Sequence, residues 1–136
     1  MIVIDASVAL KWVKEEEAFR EKALILFQKH KSGLDQITVP NLIYIEVANA
    51  LVTKSSTTNK LIKTALKFIF AANLKNYELS PDTLLDASAL ARKYNTSVYD
   101  MLYAVIAKEN KTTLVTADEN FIRRTGFKFV KYIKDI

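Results

Sequence analysis

Short apolar runs alternate along the chain with longer segments in which apolar residues recur at helical spacing. Most of the short runs are rich in β-branched residues and end at a polar residue or a proline, which is typical of buried strands. The predicted strands are MIVID (1–5), QITVP (36–40), NYELSP (76–81), TTLVT (112–116) and KFVKYI (128–133).

The segments between these runs predict helices near residues 7–13, 17–33, 41–54, 59–73, 81–94, 97–110 and 117–126. Pro40 and Pro81 lie where a first helical turn accepts proline, and Gly33 and Gly126 lie where a helix commonly ends. Strands and helices alternate throughout, without internal repeats or a linker. The pattern therefore predicts one α/β domain over residues 1–136, with a mainly parallel sheet of about five strands.

Two acidic residues directly follow predicted strands. Asp5 ends the first strand and Asp118 follows the fourth. In open parallel sheets, ligands bind beyond the carboxyl ends of the strands, where the strand order reverses. We therefore expect a shared acidic site at this edge of the sheet. Taken alone, Asp5 is explained equally well as the N-cap of the next helix.

Capping motifs offer structural explanations for two further acids. Ser97 and Asp100 match the S-x-x-D form of a capping box, and Thr116 and Glu119 match the T-x-x-E form. We expect Glu119 to secure the start of the last helix, which leaves Asp118 beside it unexplained.

Glu46 has no local structural explanation. It lies in the middle of a predicted helix between Ile45 and Val47, and no Lys or Arg occurs between Lys31 and Lys54. A buried carboxylate needs a partner or must take up a proton. Two explanations remain open from the residues alone, a salt bridge to a distant cation and a role as a ligand.

Composition narrows the chemistry that is available. The 136 residues include no Cys and a single His, which excludes disulfide frameworks, zinc ribbons and thiol nucleophiles. That histidine, His30, lies among lysines and is expected to be a solvated surface residue. Any catalysis must then come from carboxylates, hydroxyls or a metal ion.

Four carboxylates near the ends of apolar segments would repel one another unless they held a divalent cation. Oxygen-only ligands favour Mg²⁺ or Mn²⁺, and such sites hydrolyse phosphodiesters without His or Cys. The net charge of +5 adds a modest indication of a nucleic-acid partner. No run is long enough to span a membrane, and no signal-peptide core is present, so a cytoplasmic location is expected.

The order and spacing of four stretches resemble a PIN-domain ribonuclease and, in size, the VapC toxins of toxin–antitoxin pairs. The stretches cover essentially the whole chain: MIVIDASVALKWV, PNLIYIEVANAL, YDMLYAVIA and TLVTADENF. The resemblance implies that Asp5, Glu46, Asp100 and Asp118 form the metal-binding catalytic cluster. Ser7 and Thr116 match hydroxyl positions that hydrogen-bond to the acids.

The resemblance also implies a function and partners. It suggests an Mg²⁺- or Mn²⁺-dependent endoribonuclease, acting as the toxin of a type II pair, with RNA as substrate. It further implies helices on both faces of the sheet, a homodimer, and a VapB-like antitoxin that inserts a segment into the active-site groove. The alternative is a PIN-like scaffold that binds RNA or protein without cleaving it.

Two other α/β classes fit the sequence less well. A receiver domain needs a pair of acids after its first strand, and an Asp-nucleophile phosphatase needs D-x-D, whereas this chain has DAS at residues 5–7. Helically spaced aromatic residues are expected in the core rather than stacked on bases: Trp12, Tyr44, Tyr99 and Tyr103. A further set of basic residues is a candidate RNA path: Lys11, Lys14, Arg92, Lys93, Arg123 and Arg124.

Overall fold

Five parallel strands form one sheet in the computed structural model, which describes residues 1–54 and 56–136. The strands lie in the order β3-β2-β1-β4-β5. Their bounds are β1 Ile2–Ile4, β2 Ile37–Val39, β3 Lys75–Asn76, β4 Leu114–Thr116 and β5 Val130–Tyr132. The predicted α/β class with a parallel sheet is confirmed.

The helices connect these strands. Their bounds are α1 Ala6–Val13, α2 Arg20–Lys31, α3 Leu42–Thr53, α4 Asn59–Ala71, α5 Pro81–Tyr94, α6 Val98–Glu109 and α7 Glu119–Thr125, with a 3-10 turn at Ile133–Asp135. Helices α1 to α4 pack on one another, whereas α5 packs on α6. Because crossovers between parallel strands are right-handed, these two groups cover opposite faces of the sheet.

The strand order reverses between β1 and β4, the two central neighbours. Val3 pairs with Leu114 and Ile4 with Val115, so the two strands end level with each other. The residues that follow them, Asp5 and Ala117, therefore begin at the same edge of the sheet. This is the position at which doubly wound sheets bind ligands.

The core is built around β1, β4 and α6. Every residue of α6 from 101 to 107 is buried, including the ring of Tyr103 at 1% exposure. A helix that is apolar on all sides must be covered on all sides. Helix α6 packs against α5 and against strands β1 and β4, so it sets the position of whatever its first turn carries.

Two element boundaries differ from the sequence prediction. Strand β3 has two residues and ends at Asn76, because Ser80 caps α5 with Pro81 in its first turn, which leaves residues 77–80 as a connection. Helix α2 begins at Arg20 rather than near Glu17. Phe19 adopts a left-handed conformation there, with φ of 59°.

His30 is not the solvated surface residue that the sequence suggested. Its Nδ1 accepts a hydrogen bond from the Ile37 amide at 3.0 Å, and its Nε2 lies 3.0 Å from the Ala72 carbonyl oxygen. The ring ties the end of α2 to β2 and to the end of α4. It has a structural role distant from the acids.

No helix in the described ranges is long and apolar enough to cross a membrane.

Candidate active site

Asp5 lies at the end of β1 and caps α1. Its Oδ1 accepts hydrogen bonds from the Ser7 amide at 3.0 Å and the Ser7 hydroxyl at 2.5 Å. Its Oδ2 accepts a hydrogen bond from the Thr116 hydroxyl, also at 2.5 Å. The capping explanation and a place in the acidic site therefore hold together, because one carboxylate serves both.

The Ser7 and Thr116 hydroxyls join the end of β1 to the end of β4. Ser7 Oγ accepts a hydrogen bond from the Ala117 amide at 2.9 Å, and Thr116 Oγ1 accepts one from the Asp118 amide at 3.0 Å. Each hydroxyl thus donates to Asp5 and accepts from the loop that carries Asp118. These bonds fix Asp5 relative to that loop.

Asp118, not Glu119, caps α7. Asp118 Oδ1 accepts a hydrogen bond from the Phe121 amide at 3.0 Å. The capping box predicted for Thr116 and Glu119 is wrong, because the Thr116 hydroxyl is already engaged by Asp5 and by the Asp118 amide. Glu119 is exposed and lies near Tyr132, whose pKa is raised chiefly by burial and further by Glu119.

Asp100 lies in the first turn of α6, where the Ser97 hydroxyl accepts a hydrogen bond from its amide at 3.1 Å. The predicted cap is therefore present, and the Asp100 carboxylate takes no part in that bond. The side chain is half-buried. It belongs to the helix that packs against both central strands.

Glu46 receives a hydrogen bond that the sequence did not predict. The Tyr103 hydroxyl, one turn beyond Asp100 on α6, donates to Glu46 Oε1 at 2.6 Å. Within residues 1–54 and 56–136, no Lys or Arg forms an ion pair with Glu46. In that part of the chain the salt-bridge explanation finds no support. Sequence reasoning placed Tyr103 in the core because of its helical spacing, and its hydroxyl gave no signal.

The carboxyl groups influence one another electrostatically. Burial raises the pKa of Asp5 to about 6, the hydrogen bonds from Ser7 and Thr116 oppose that rise, and the charge of Asp100 adds to it. Burial also raises the pKa of Glu46. The Tyr103 hydrogen bond opposes that rise, and the charges of Asp100 and Asp5 add to it.

Asp100 completes the electrostatic connection between the four acids. Burial is the main cause that raises its pKa; Ser97 opposes the rise, and the charge of Asp118 adds to it. The hydrogen bonds of Thr116 with Asp5 and the Asp118 amide, and of Tyr103 with Glu46, likewise bring together acids that come from α3, α6 and the ends of β1 and β4. Such mutual repulsion favours a bound cation.

The spacing of the acids is wider than that of a closed metal site. Among the residues that the structure describes, no three His, Cys, Asp or Glu side chains are grouped closely enough to hold an ion. The chemistry of the donors nevertheless fits a hard divalent cation, since all four are carboxylates. An ion would have to draw these side chains together.

Some of the candidate RNA-contacting residues are buried in the structure, whereas others are exposed. Lys11 is buried and lies 3.6 Å from Glu17, so it is not available to a substrate. Trp12 and Tyr103 are core residues as expected, whereas Tyr99, beside Asp100, is 61% exposed. Arg124 donates to the carbonyl oxygen of Asn95, just before the start of α6.

A groove of about 520 Å³ between α1 and α4 contains none of the four acids. Its lining includes Trp12, Lys14, Arg20 and Phe68. The candidate site thus rests on converging carboxylates rather than on a deep cavity.

Comparison with protein families finds that the family model described as PIN domain matches residues 2–128. Among solved structures, PAE2754 from Pyrobaculum aerophilum is similar in fold. Its TM-score is 0.72 at 21% identity, over 98% of this chain and 91% of that one.

A second similar structure is VapC20 from Mycobacterium tuberculosis, described as a sarcin-ricin loop cleaving toxin. The TM-score is 0.69 at 11% identity, over 93% of this chain and 96% of that one. At these identities the two structures show a shared fold. Comparison with curated proteins finds no match.

Proposed function

The chain belongs to the PIN domain family, and from that premise we propose that residues 1–136 form one domain that acts as a divalent-metal-dependent endoribonuclease. PIN domains are generally nucleases and typically use a divalent metal. The proposal extends that general activity to RNA hydrolysis by Asp5, Glu46, Asp100 and Asp118.

The observation that supports the proposal most strongly is the convergence of four carboxylates on one region of the sheet edge. They come from positions as far apart in the chain as Asp5 and Asp118. The charge of Asp100 adds to the raised pKa of Asp5 and of Glu46, and the charge of Asp118 adds to that of Asp100. In the described part of the chain, the ion pairs formed by Lys and Arg involve none of them. A cluster that stays negatively charged and unneutralised is costly for folding and is typical of a site that binds cations.

Each residue has a distinct task in this proposal. The four carboxylates would hold Mg²⁺ or Mn²⁺, and Ser7 and Thr116 would keep the Asp5 carboxylate in place through their hydroxyls. When bound, the ion activates water and offsets negative charge on the scissile phosphate. Exposed Tyr99 and Arg124 lie close to the N-terminus of α6, where they would meet the RNA beside the acids.

We further propose that the protein is the toxin of a type II toxin–antitoxin pair, acting as a homodimer and inhibited by a VapB-like antitoxin. Support comes from the resemblance of its motifs to VapC toxins and from the fold it shares with VapC20. Purification of the protein with the product of any adjacent small reading frame, followed by measurement of the complex mass, tests both partners.

The test of the nuclease activity is cleavage of a structured RNA by the purified protein with Mg²⁺ or Mn²⁺ and with EDTA. Cleavage with either ion, its loss in EDTA, and its loss in an equally purified Asp118→Asn variant are expected. Equal cleavage by the variant would point to a contaminating nuclease. Absence of cleavage on all RNAs would count against the proposal.

A non-cleaving scaffold is the second candidate, and one observation favours it. In the described ranges, no three metal-ligating side chains are grouped closely enough to hold an ion. Calorimetric titration separates the two functions, since a nuclease of this kind should bind Mn²⁺ at millimolar ion or below. RNA binding without any ion binding would support the scaffold.

A further inference from the structure

We infer that Tyr103 is a positioning residue for Glu46, and that its hydroxyl holds this carboxylate at the metal site. The inference rests on the proposed function, because it concerns the same four acids. It adds one residue that belongs neither to the acids nor to the hydroxyls next to Asp5.

The first argument is the geometry of the hydrogen bond between Tyr103 and Glu46. Tyr103 Oη donates to Glu46 Oε1 at 2.6 Å, between residues 57 positions apart in the sequence. The ring itself is fixed, since Tyr103 is 1% exposed and its neighbours on α6 are buried as well. The hydroxyl therefore occupies a defined place from which it can orient a flexible side chain.

Glu46 needs such a partner. It comes from the middle of α3, and helix α3 packs chiefly against α1 and α4. Asp100 comes from α6, which packs against α5, β1 and β4. The bond from Tyr103 thus connects two helices that belong to opposite faces of the sheet.

The spacing on α6 explains how one helix serves two acids. Asp100 and Tyr103 are three residues apart, so they lie on the same face of α6 about one turn from each other. Helix α6 supplies one carboxylate directly and holds another through the tyrosine. Among the described residues, the side-chain hydrogen bond to Glu46 comes from Tyr103.

Repulsion from neighbouring acids explains why Glu46 needs this hydrogen bond. Asp100 and Asp5 both repel a negative charge on Glu46, and no cation among the described residues offsets that repulsion. Without the hydroxyl, the glutamate would be free to rotate away from the other acids. A neutral donor holds the carboxylate in place and leaves its negative charge available to an ion.

The test is the substitution Tyr103→Phe, with Tyr77→Phe as the matched control. Tyr77 also donates a hydrogen bond from its hydroxyl to a glutamate, Glu109, which is not one of the four acids. Both variants lose one oxygen and one Tyr–Glu bond. Mn²⁺ affinity is measured by calorimetry well below the melting temperature, and RNA cleavage is measured over a range of Mn²⁺ concentrations.

We expect Tyr103→Phe to weaken Mn²⁺ binding roughly ten- to a hundredfold, the usual effect of losing a residue that orients a metal ligand. Cleavage should fall at low Mn²⁺ and recover partly at high Mn²⁺. Tyr77→Phe should bind Mn²⁺ as the wild type does. In a Glu46→Gln background, Tyr103→Phe should weaken Mn²⁺ binding much less.

Three results would overturn the inference: unchanged Mn²⁺ affinity in Tyr103→Phe, an equal loss in Tyr77→Phe, or an undiminished effect in the Glu46→Gln background. If Tyr103→Phe unfolds under these conditions, the affinity measurement is repeated on this variant and on the wild type in a stabilising osmolyte such as sucrose. A wild type that neither binds Mn²⁺ nor cleaves RNA would remove the proposed function itself, whereas a competent wild type with a competent Tyr103→Phe removes the role of Tyr103 alone.

Discussion

Replacing Asp5 with asparagine should stabilise the metal-free protein at neutral pH and lose that advantage in acid. Burial raises the pKa of this carboxyl in the folded protein to about 6, from an ordinary value of 3.8. A raised folded-state pKa means that the native protein binds the proton more tightly than the unfolded chain does. The stability that Asp5 contributes is therefore fully present below the ordinary pKa and is lost as the pH rises through about 6.

The size of the effect follows from the shift. Roughly two pKa units at about 1.4 kcal/mol each set an upper limit of about 3 kcal/mol. Because Asp5 is partly exposed, solvent screening reduces this figure, and we expect about 2 kcal/mol. Asparagine keeps an oxygen for the Ser7 amide but cannot accept from both the Ser7 and Thr116 hydroxyls, which costs about 1 kcal/mol at every pH.

The assay is urea denaturation in EDTA between about pH 4.5 and pH 8, with unfolding monitored through the fluorescence of Trp12. This tryptophan is the single one in the chain, is 3% exposed, and donates to the Ala23 carbonyl oxygen, so it reports loss of the packing between α1 and α2. Asp86→Asn, at an exposed position on α5, is the control and should change stability little.

The quantity to follow is the unfolding free energy of Asp5→Asn minus that of the wild type. It should increase with pH between about pH 4 and pH 6, where the folded protein holds the proton and the unfolded chain does not, and level off above about pH 7. A difference that stays constant over this range would refute the reasoning. So would a wild type that gains stability over Asp5→Asn as the pH rises.

Three further predictions concern the other acids and the ion. Glu46→Gln should lose cleavage and weaken Mn²⁺ binding while the fold is kept, because glutamine still accepts from Tyr103 and suits a helix; a stability loss of about 3–5 kcal/mol with unchanged Mn²⁺ affinity would falsify its metal role. Mg²⁺ or Mn²⁺ should raise the melting temperature, because an ion concentration of a hundred times Kd adds about 2.7 kcal/mol to the free energy of unfolding. A melting temperature that does not change with millimolar ion would contradict this. Asp118→Asn should abolish cleavage with an unchanged far-UV spectrum, because asparagine also caps helices well, and wild-type turnover by that variant would exclude Asp118 from the site.

The order of strands and helices could be predicted because it depends on local pattern. The runs around Ile4 and Val115 are buried on both faces, and the helices carry apolar residues at regular spacing with identifiable ends such as Gly126. These signals lie within a few residues of one another. Strand β3 was misplaced because an edge strand of two residues leaves hardly any pattern to detect.

Errors arose where the partner of a side chain lies in a distant part of the sequence. The sequence around Thr116 fits a capping box with Glu119, and nothing local shows that Asp5 engages the Thr116 hydroxyl from a position 111 residues earlier. His30 was misjudged for the same reason, since its partners Ile37 and Ala72 belong to other elements. Local rules rank local partners, whereas the fold offers distant ones.

The sequence by itself determined the parallel α/β architecture and nominated four acids, two of them through their positions after β1 and β4. Only the tertiary structure decided how Glu46 is held, because its partner Tyr103 comes from a helix on the other face of the sheet. Periodicity encodes which side of a helix is buried, not which distant hydroxyl meets it there. That contact depends on how the crossovers bring α3 and α6 together beyond the ends of the central strands.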